Sequence, residues 1–365
     1  VMDTSDQSIS FDQNGLSNHY WDYQKNIKNI FRDKTSLSEY FNKKIESIKF
    51  DGRNNEFDSI LGLSGGMDSS YMLHKMVKEY GLRPLVFHVD GGWNTQIAVN
   101  NIKNMVKKLN VELFTEVIDW NDMRNFQIAM FKSGLPYLDI PQDMAFAAVL
   151  YKFAEKYKIK TILNGGNIVT ESVMRPFELI YYGGDMTLIK DVLEKYCPCN
   201  LNNFPFISVL YKRIFLKYFK NIRLFKPLNY LNYDRTIAIR ELRDYYNWIP
   251  YSQKHFESRF TRFYEGYWLI SRYGFDMRRV ELSSLILSNQ MKRESAIKIL
   301  EKPPLDSKQI KEDREYICTK LDITEKELTA FHDLPKKCFV NYKNNYRILK
   351  IGEKFMGYLK MGRRG

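Results

Sequence analysis

Cysteine is scarce in this 365-residue chain, and Cys197, Cys199, Cys318 and Cys338 are too few and too scattered to staple a fold of this size. A disulfide framework is excluded, and reduced thiols are expected. No apolar run approaches the roughly 20 residues that span a bilayer. No charged, apolar and small-residue succession of a signal peptide opens the chain at Val1. Membrane insertion is not expected, and a cytoplasmic location is. Repeats and low-complexity tracts are missing too, while 44% hydrophobic and 15% aromatic residues exclude general disorder.

Acidic residues are scarce in one half only. Residues 1–200 carry 23 Lys/Arg against 25 Asp/Glu, and residues 201–365 carry 33 against 18, so the net charge of +13 arises wholly in the second half. Such asymmetry points to an anionic partner: a nucleic acid, a phosphorylated small molecule, a membrane surface or an acidic protein. A solvated basic face is the plain alternative.

Residues 57–168 alternate short apolar runs with helical patterns. "FDSILGL", "LRPLVFHVD", "VELFTEVID" and "IKTILNGGN" read as strands. Met72, Leu73, Met76 and Val77 repeat at helical spacing before Gly81, and Ile97, Ile102, Met105, Val106 and Leu109 share a face in the next segment. Further helical stretches fall near 121–133 and 142–157. The pattern predicts an α/β fold, a parallel sheet with helices on both faces, in which ligands bind beyond the carboxyl ends of the strands. From about residue 170 the chain turns aromatic and basic with helical periodicity, including a Thr324 to Glu327 capping box. Near the start, Ser36 with Glu39 three residues on predicts a helix cap.

What the loop "LGLSGGMDSS" (61–70) lacks is a lysine. Nucleotide loops that hold terminal phosphates end in Gly-Lys-Ser/Thr, whereas this one offers Asp68. Gly65 and Gly66 let backbone N–H groups approach an anion at a helix N-terminus. Ser64, Ser69 and Ser70 add hydroxyl donors, and Asp68 suits Mg²⁺. A metal-binding carboxylate without lysine fits a reaction from which pyrophosphate departs.

"SGGMDSS" after a strand resembles the pyrophosphate loop (PP-loop) of the N-type ATP pyrophosphatases, which include NAD, GMP and asparagine synthetases and the tRNA-thiolating enzymes. That resemblance implies ATP and Mg²⁺, adenylation of a substrate oxygen, and a second metal carboxylate, which "GGNIVTE" supplies as Glu171. A narrower resemblance covers nearly the whole chain. "RPLVFHVDGGWNTQIAVNNI", "DIPQDMAFAAVLY", "NGGNIVTES", "KPLNYL", "KHFESRFTRF" and "RRVELSSLILSNQMKRESA" are together similar to the N-acetyl sugar amidotransferases of surface polysaccharide (LPS O-antigen) biosynthesis. It implies conversion of an acetamido group, on a nucleotide-linked sugar, to an acetamidino group through an O-adenylyl imidate.

The division expected is an N-terminal extension (1–50), a PP-loop ATP-binding domain (51–170) and a helical, basic substrate or partner domain (171–365). The resemblance assigns ATP contacts to Ser64, Gly65, Gly66, Asp68, Ser69, Ser70, Val89, Asp90, Gly165 and Asn167, and the metal to Asp68 and Glu171. Asp143, opening a helix, ranks with Ser64, Asp68 and Glu171 as a candidate catalytic residue. Lys254, His255, Glu257, Ser258, Arg259 and Arg262 are the candidate sugar-nucleotide contacts.

Two absences qualify this reading. Relatives carry one cysteine pair ahead of "VMDT" and another after it, forming a zinc knuckle. Ser17 and Tyr20 stand at the second pair here, and the first pair would lie upstream of Val1, so no zinc is expected. Nor is there a Gly-x-Cys-x-Gly elbow to hydrolyse glutamine. A partner glutaminase with an ammonia channel, resembling imidazole glycerol phosphate synthase, is expected instead. The alternatives are a tRNA-thiolating enzyme, which the basic half favours and the cysteine count disfavours, and a non-catalytic subunit retaining the fold. Binding of nucleic acid is not expected.

Overall fold

A computed structural model describes residues 1–28 and 34–358. Five strands, β1 (Ser59–Gly62), β2 (Pro84–Asp90), β3 (Leu113–Val117), β4 (Thr161–Leu163) and β5 (Arg223–Phe225), form one parallel sheet in the order β3-β2-β1-β4-β5. The first four lie where the apolar runs predict them. β5 has only three residues in "NIRLFKP", too few for alternation to reveal, and it comes from the basic half.

The side chains of β1 and β2 alternate between two cores, as period-2 geometry requires. Ile60, Leu85 and Phe87 face a layer built with helices Trp120–Ser133 and Ile140–Lys156. Leu61, Val86 and Leu163 face the other, with helices Lys34–Asp51, Met67–His74, Gln96–Leu109 and Arg235–Tyr246. Burial on both faces is why these strands read as unbroken apolar runs.

Thr95 caps the helix after β2, accepting from Ala98 N at 3.2 Å. Asn110 closes that helix in the left-handed region at φ 51°. The Thr324–Glu327 box forms as read, with Glu327 N donating to Thr324 Oγ1 at 3.2 Å and Thr324 N to Glu327 Oε2 at 2.7 Å. Ser36, by contrast, lies inside its helix, which already includes Lys34.

The basic half is mostly helical and shares the first core. Phe260, Phe263 and Trp268 pack in the same cluster as Phe131 and Ile60. No helix among the described residues is long and apolar enough to cross a membrane. Strand order reverses between β1 and β4, so the loops after these two strands face one crevice.

Candidate active site

The loop after β1 is built around its glycines. Gly65 adopts φ +81°, and a Cβ there would lie 2.8 Å from the Ala98 carbonyl oxygen, so a side chain is excluded twice over. Its own carbonyl accepts from Trp248 Nε1 and Tyr251 OH, each at 3.1 Å, which fastens the loop from the basic half. Ser64 Oγ accepts from Gly66 N at 3.2 Å, lies 3.2 Å from Ser69 Oγ, and donates to Glu257 Oε1 at 3.1 Å. Glu257 therefore already sets an anion over Gly66. Gly165, after β4, packs on the loop so closely that a Cβ would lie 3.1 Å from the Asp68 and Ser69 backbone.

Asp68 and Glu171 are brought together by this packing. Lys254 Nζ lies 3.0 Å from Asp68 Oδ2 and 2.7 Å from Glu171 Oε1, and it donates to Thr170 Oγ1 at 2.9 Å. The two carboxylates thus converge on one cationic position. Tyr233 OH donates to the other Asp68 oxygen at 2.5 Å, and burial beside that carboxylate raises the phenol well above 10.0, so it remains a donor. Burial raises the Glu171 carboxyl, but the charge and hydrogen bond of Lys254 prevail and hold it at about 2. Two hard oxygen ligands aimed at one cation fit Mg²⁺. Converging N–H and hydroxyl groups at a helix start fit phosphate.

Three cavities meet here. One of about 320 Å³ is lined by Gly66, Asp68, Ser69, Gly165 and Glu171. A second, about 220 Å³, takes in Ser64, Val89, Gln142, Asp143 and Ser258. The third, about 870 Å³, takes in Asn167, Glu171, Arg175, Lys226 and Lys254. His255 lines all three. Its φ of 68° is a strained backbone state for a residue with a Cβ. Its Nδ1 lies 3.2 Å from both oxygens of Glu265, which is buried.

Burial pulls His255 below its ordinary 6.5, while Glu265 pulls it up against Arg175 and Lys254; the net shift is upward. A raised His pKa contributes stability that is fully present below about pH 6.5 and is lost as pH rises through the folded-state value. Over that interval the wild-type melting temperature should fall more steeply with pH than that of His255→Gln.

Other candidates are placed as follows. Asp143 accepts from Tyr137 OH at the second cavity. Ser258 Oγ donates to Gln142 Oε1 at 3.0 Å and caps the helix Arg259–Phe263. Asn167 caps Ile168–Glu171, accepting from Thr170 N at 3.0 Å. Asp90 turns back on its own loop, accepting from Gly92 N at 2.9 Å, and lines none of the three cavities. Ser70 is buried away from them, without a partner for its hydroxyl.

Arg259 and Arg262, expected as sugar-nucleotide contacts, line none of these three cavities. Asp313, fully buried, takes Arg259 Nε at 2.8 Å and Arg262 Nε and Nη2 at 2.8 and 2.6 Å. Both guanidinium groups brace helix Arg259–Phe263 on helix Ser307–Leu321. Arg259→Ala is accordingly expected to lower stability by about 2 kcal/mol, from loss of a charged hydrogen bond, and to leave the apparent KM for sugar unchanged. Thermal melting beside kinetics checks this.

Tyr233, Arg175, Glu265, Tyr137 and Asp139 were missed by sequence reasoning. Asp139 opens the quoted stretch "DIPQDMAFAAVLY" but was not singled out, while the other four lie in no motif and reach the site only by folding.

Residues 257–356 match the family described as "LPS biosynthesis protein WbpG-like, C-terminal domain". No curated protein matches the chain. Similar solved structures include NMN synthetase from Francisella tularensis, at 12% identity and a TM-score of 0.29, covering 59% of this chain and 93% of that one. Another is the NH3-dependent NAD synthetase from Campylobacter jejuni in complex with the nitrate ion, at 14% identity and a TM-score of 0.27, covering 84% and 99%. Likeness at that level gives no residue a role. The family match agrees with the polysaccharide-biosynthesis resemblance carried by the sequence, and the matched residues 257–356 bring Glu257, Ser258 and Glu265 to the cavities.

Proposed function

We propose that the chain is an ATP-dependent amidotransferase of surface polysaccharide biosynthesis, converting the N-acetyl group of a nucleotide-linked acetamido sugar to an acetamidino group. The observation that carries this reading is the convergence of Asp68 and Glu171 on one cationic position, with Lys254 Nζ at 3.0 and 2.7 Å, beside the glycine loop. Mg²⁺ held by those carboxylates would screen phosphate charge and favour departure of pyrophosphate.

Ser64, Ser69 and the backbone of Gly65 and Gly66 supply donors to the departing group. Lys254 balances the two carboxylates, which would hold a divalent cation and its charge in the same place. The acetamido oxygen attacks the α-phosphate of ATP, pyrophosphate leaves, and ammonia then displaces AMP to leave a C=N bond. His255, held by Glu265 on the wall common to all three cavities, takes the proton that ammonia loses. The largest cavity, with Arg175 and Lys226 in its lining, suits a sugar nucleotide in volume and charge.

The test is a screen of nucleotide-linked acetamido sugars with ATP, Mg²⁺ and ammonium, read by mass spectrometry. Replacement of oxygen by NH lowers the mass by about one unit. Pyrophosphate release with no such product from any acetamido sugar would overturn the proposal.

A further inference from the structure

The helix Tyr211–Phe219, wound in the wider π form, borders the site and carries an unusual face turned away from it. Leu216 is fully buried in the first core and anchors the helix, with Ile222 buried just beyond its end. Leu210, Tyr211, Ile214, Phe215, Tyr218 and Phe219 point the other way and expose between 37% and 75% of their surface. Tyr211, Phe215 and Phe219 stack on one another at 5.0 and 5.6 Å between ring centroids, forming a continuous aromatic ladder on the outside of the protein. An apolar patch of this size on a water-exposed surface marks an interaction site.

Charge decides among its occupants. Between Glu194 and Asp234 the chain has no carboxylate side chain, while Lys212, Arg213, Lys217, Lys220, Arg223 and Lys226 fall on or just after this helix. Lys217 lies over Tyr218 at 5.8 Å and Lys220 over Phe215 at 5.8 Å, so cations fringe the aromatic ladder, and one carboxylate from outside this stretch, Glu155, reaches its edge, 3.4 Å from Tyr211 OH and 3.8 Å from Lys220 Nζ. Lysine is depleted from protein interfaces. A short helix with large apolar side chains on one side and Lys/Arg around them is the pattern that lies in the headgroup layer of an anionic bilayer. Arg213 also lines the 870 Å³ cavity, so the patch borders that cavity.

We infer that the face of helix Tyr211–Phe219 docks on an anionic lipid surface, seating the aromatic ladder among the headgroups with the lysines on lipid phosphates. The helix lies on the membrane without crossing it. This stands independently of the reaction proposed above.

The test is co-sedimentation of the full chain with vesicles of phosphatidylcholine alone and of phosphatidylcholine mixed with phosphatidylglycerol. Binding is expected only to the anionic vesicles and should weaken as salt is raised. The double variant Phe215→Ser with Phe219→Ser should lower the partition coefficient by at least about tenfold. Lys217→Gln should lower it by about fivefold, and Lys220→Gln, whose cation is shared with Glu155, by a smaller factor. Circular dichroism and thermal melting in vesicle-free solution should match the wild type in all of them, which reports that they fold.

Failure of the wild type to bind anionic vesicles overturns the inference, as does vesicle binding that neither set of variants weakens. Absence of vesicle binding together with a dimer in sedimentation velocity that the Phe215→Ser, Phe219→Ser variant abolishes assigns the face to a second copy of the chain instead.

Discussion

Asp68→Asn is expected to slow ATP-driven pyrophosphate release by about a hundredfold or more while leaving the fold intact. The expectation rests on what each oxygen does. Asp68 Oδ1 accepts the Tyr233 hydroxyl at 2.5 Å, a bond that an amide oxygen can still accept, so local packing survives. What disappears is the negative charge that with Glu171 defines the cation position, marked by Lys254 Nζ at 3.0 Å. Glu171→Gln removes the other half of that charge and should act in the same direction, with a smaller loss of about tenfold. Pyrophosphate release measured with a coupled assay, beside a thermal melt, checks both. A well-folded Asp68→Asn protein that turns over within a few fold of the wild type would contradict the metal role.

The second large effect concerns the nitrogen donor. The isolated chain should form no amidine from glutamine at any concentration, and should form it with ammonium. Hydrolysis of glutamine needs a thiol that is exposed and ionised more easily than usual. Cys318 is buried, and that burial pushes its thiol up to about 11. Cys197 is likewise raised by burial, and none of the four cysteines lines the three cavities. Addition of a purified glutaminase partner should then restore activity with glutamine. Glutamine-dependent product from the chain alone, free of contaminating glutaminase, would sink the idea of a separate ammonia source.

The parts of the fold that could be read early are those with local causes. Ile60 and Leu61, or Leu85 and Val86, face opposite cores, so β1 and β2 are apolar without a break, and such runs are visible in one dimension. The glycine loop is equally local. A φ of +81° at Gly65 demands a residue without a side chain within one short stretch. β5 escaped because three residues of "NIRLFKP" gain their strand geometry only by pairing with β4, a partner some sixty residues away in the chain.

Charge was the least legible property. Arg259 and Arg262 share a helix face, and sequence spacing alone cannot tell a guanidinium waiting for phosphate from one already satisfied. The answer lay in Asp313, fully buried and more than fifty residues away in sequence, which occupies both. Lys254 and Glu257 lie three residues apart, yet folding sends one to the Asp68–Glu171 pair and the other to the glycine loop.

By itself, then, the sequence determined the parallel α/β sheet and the glycine loop that follows its first strand, because periodicity and a glycine turn each act through a few neighbouring residues. Tertiary structure alone decided which cations serve the site and which brace the fold. It also decided that His255 and Glu265 meet where three cavities join, and that the aromatic side of Tyr211–Phe219 stays uncovered. The physical reason is that ion pairing and burial depend on distance through space, and the residues that fix both at this site come from segments remote from one another along the chain.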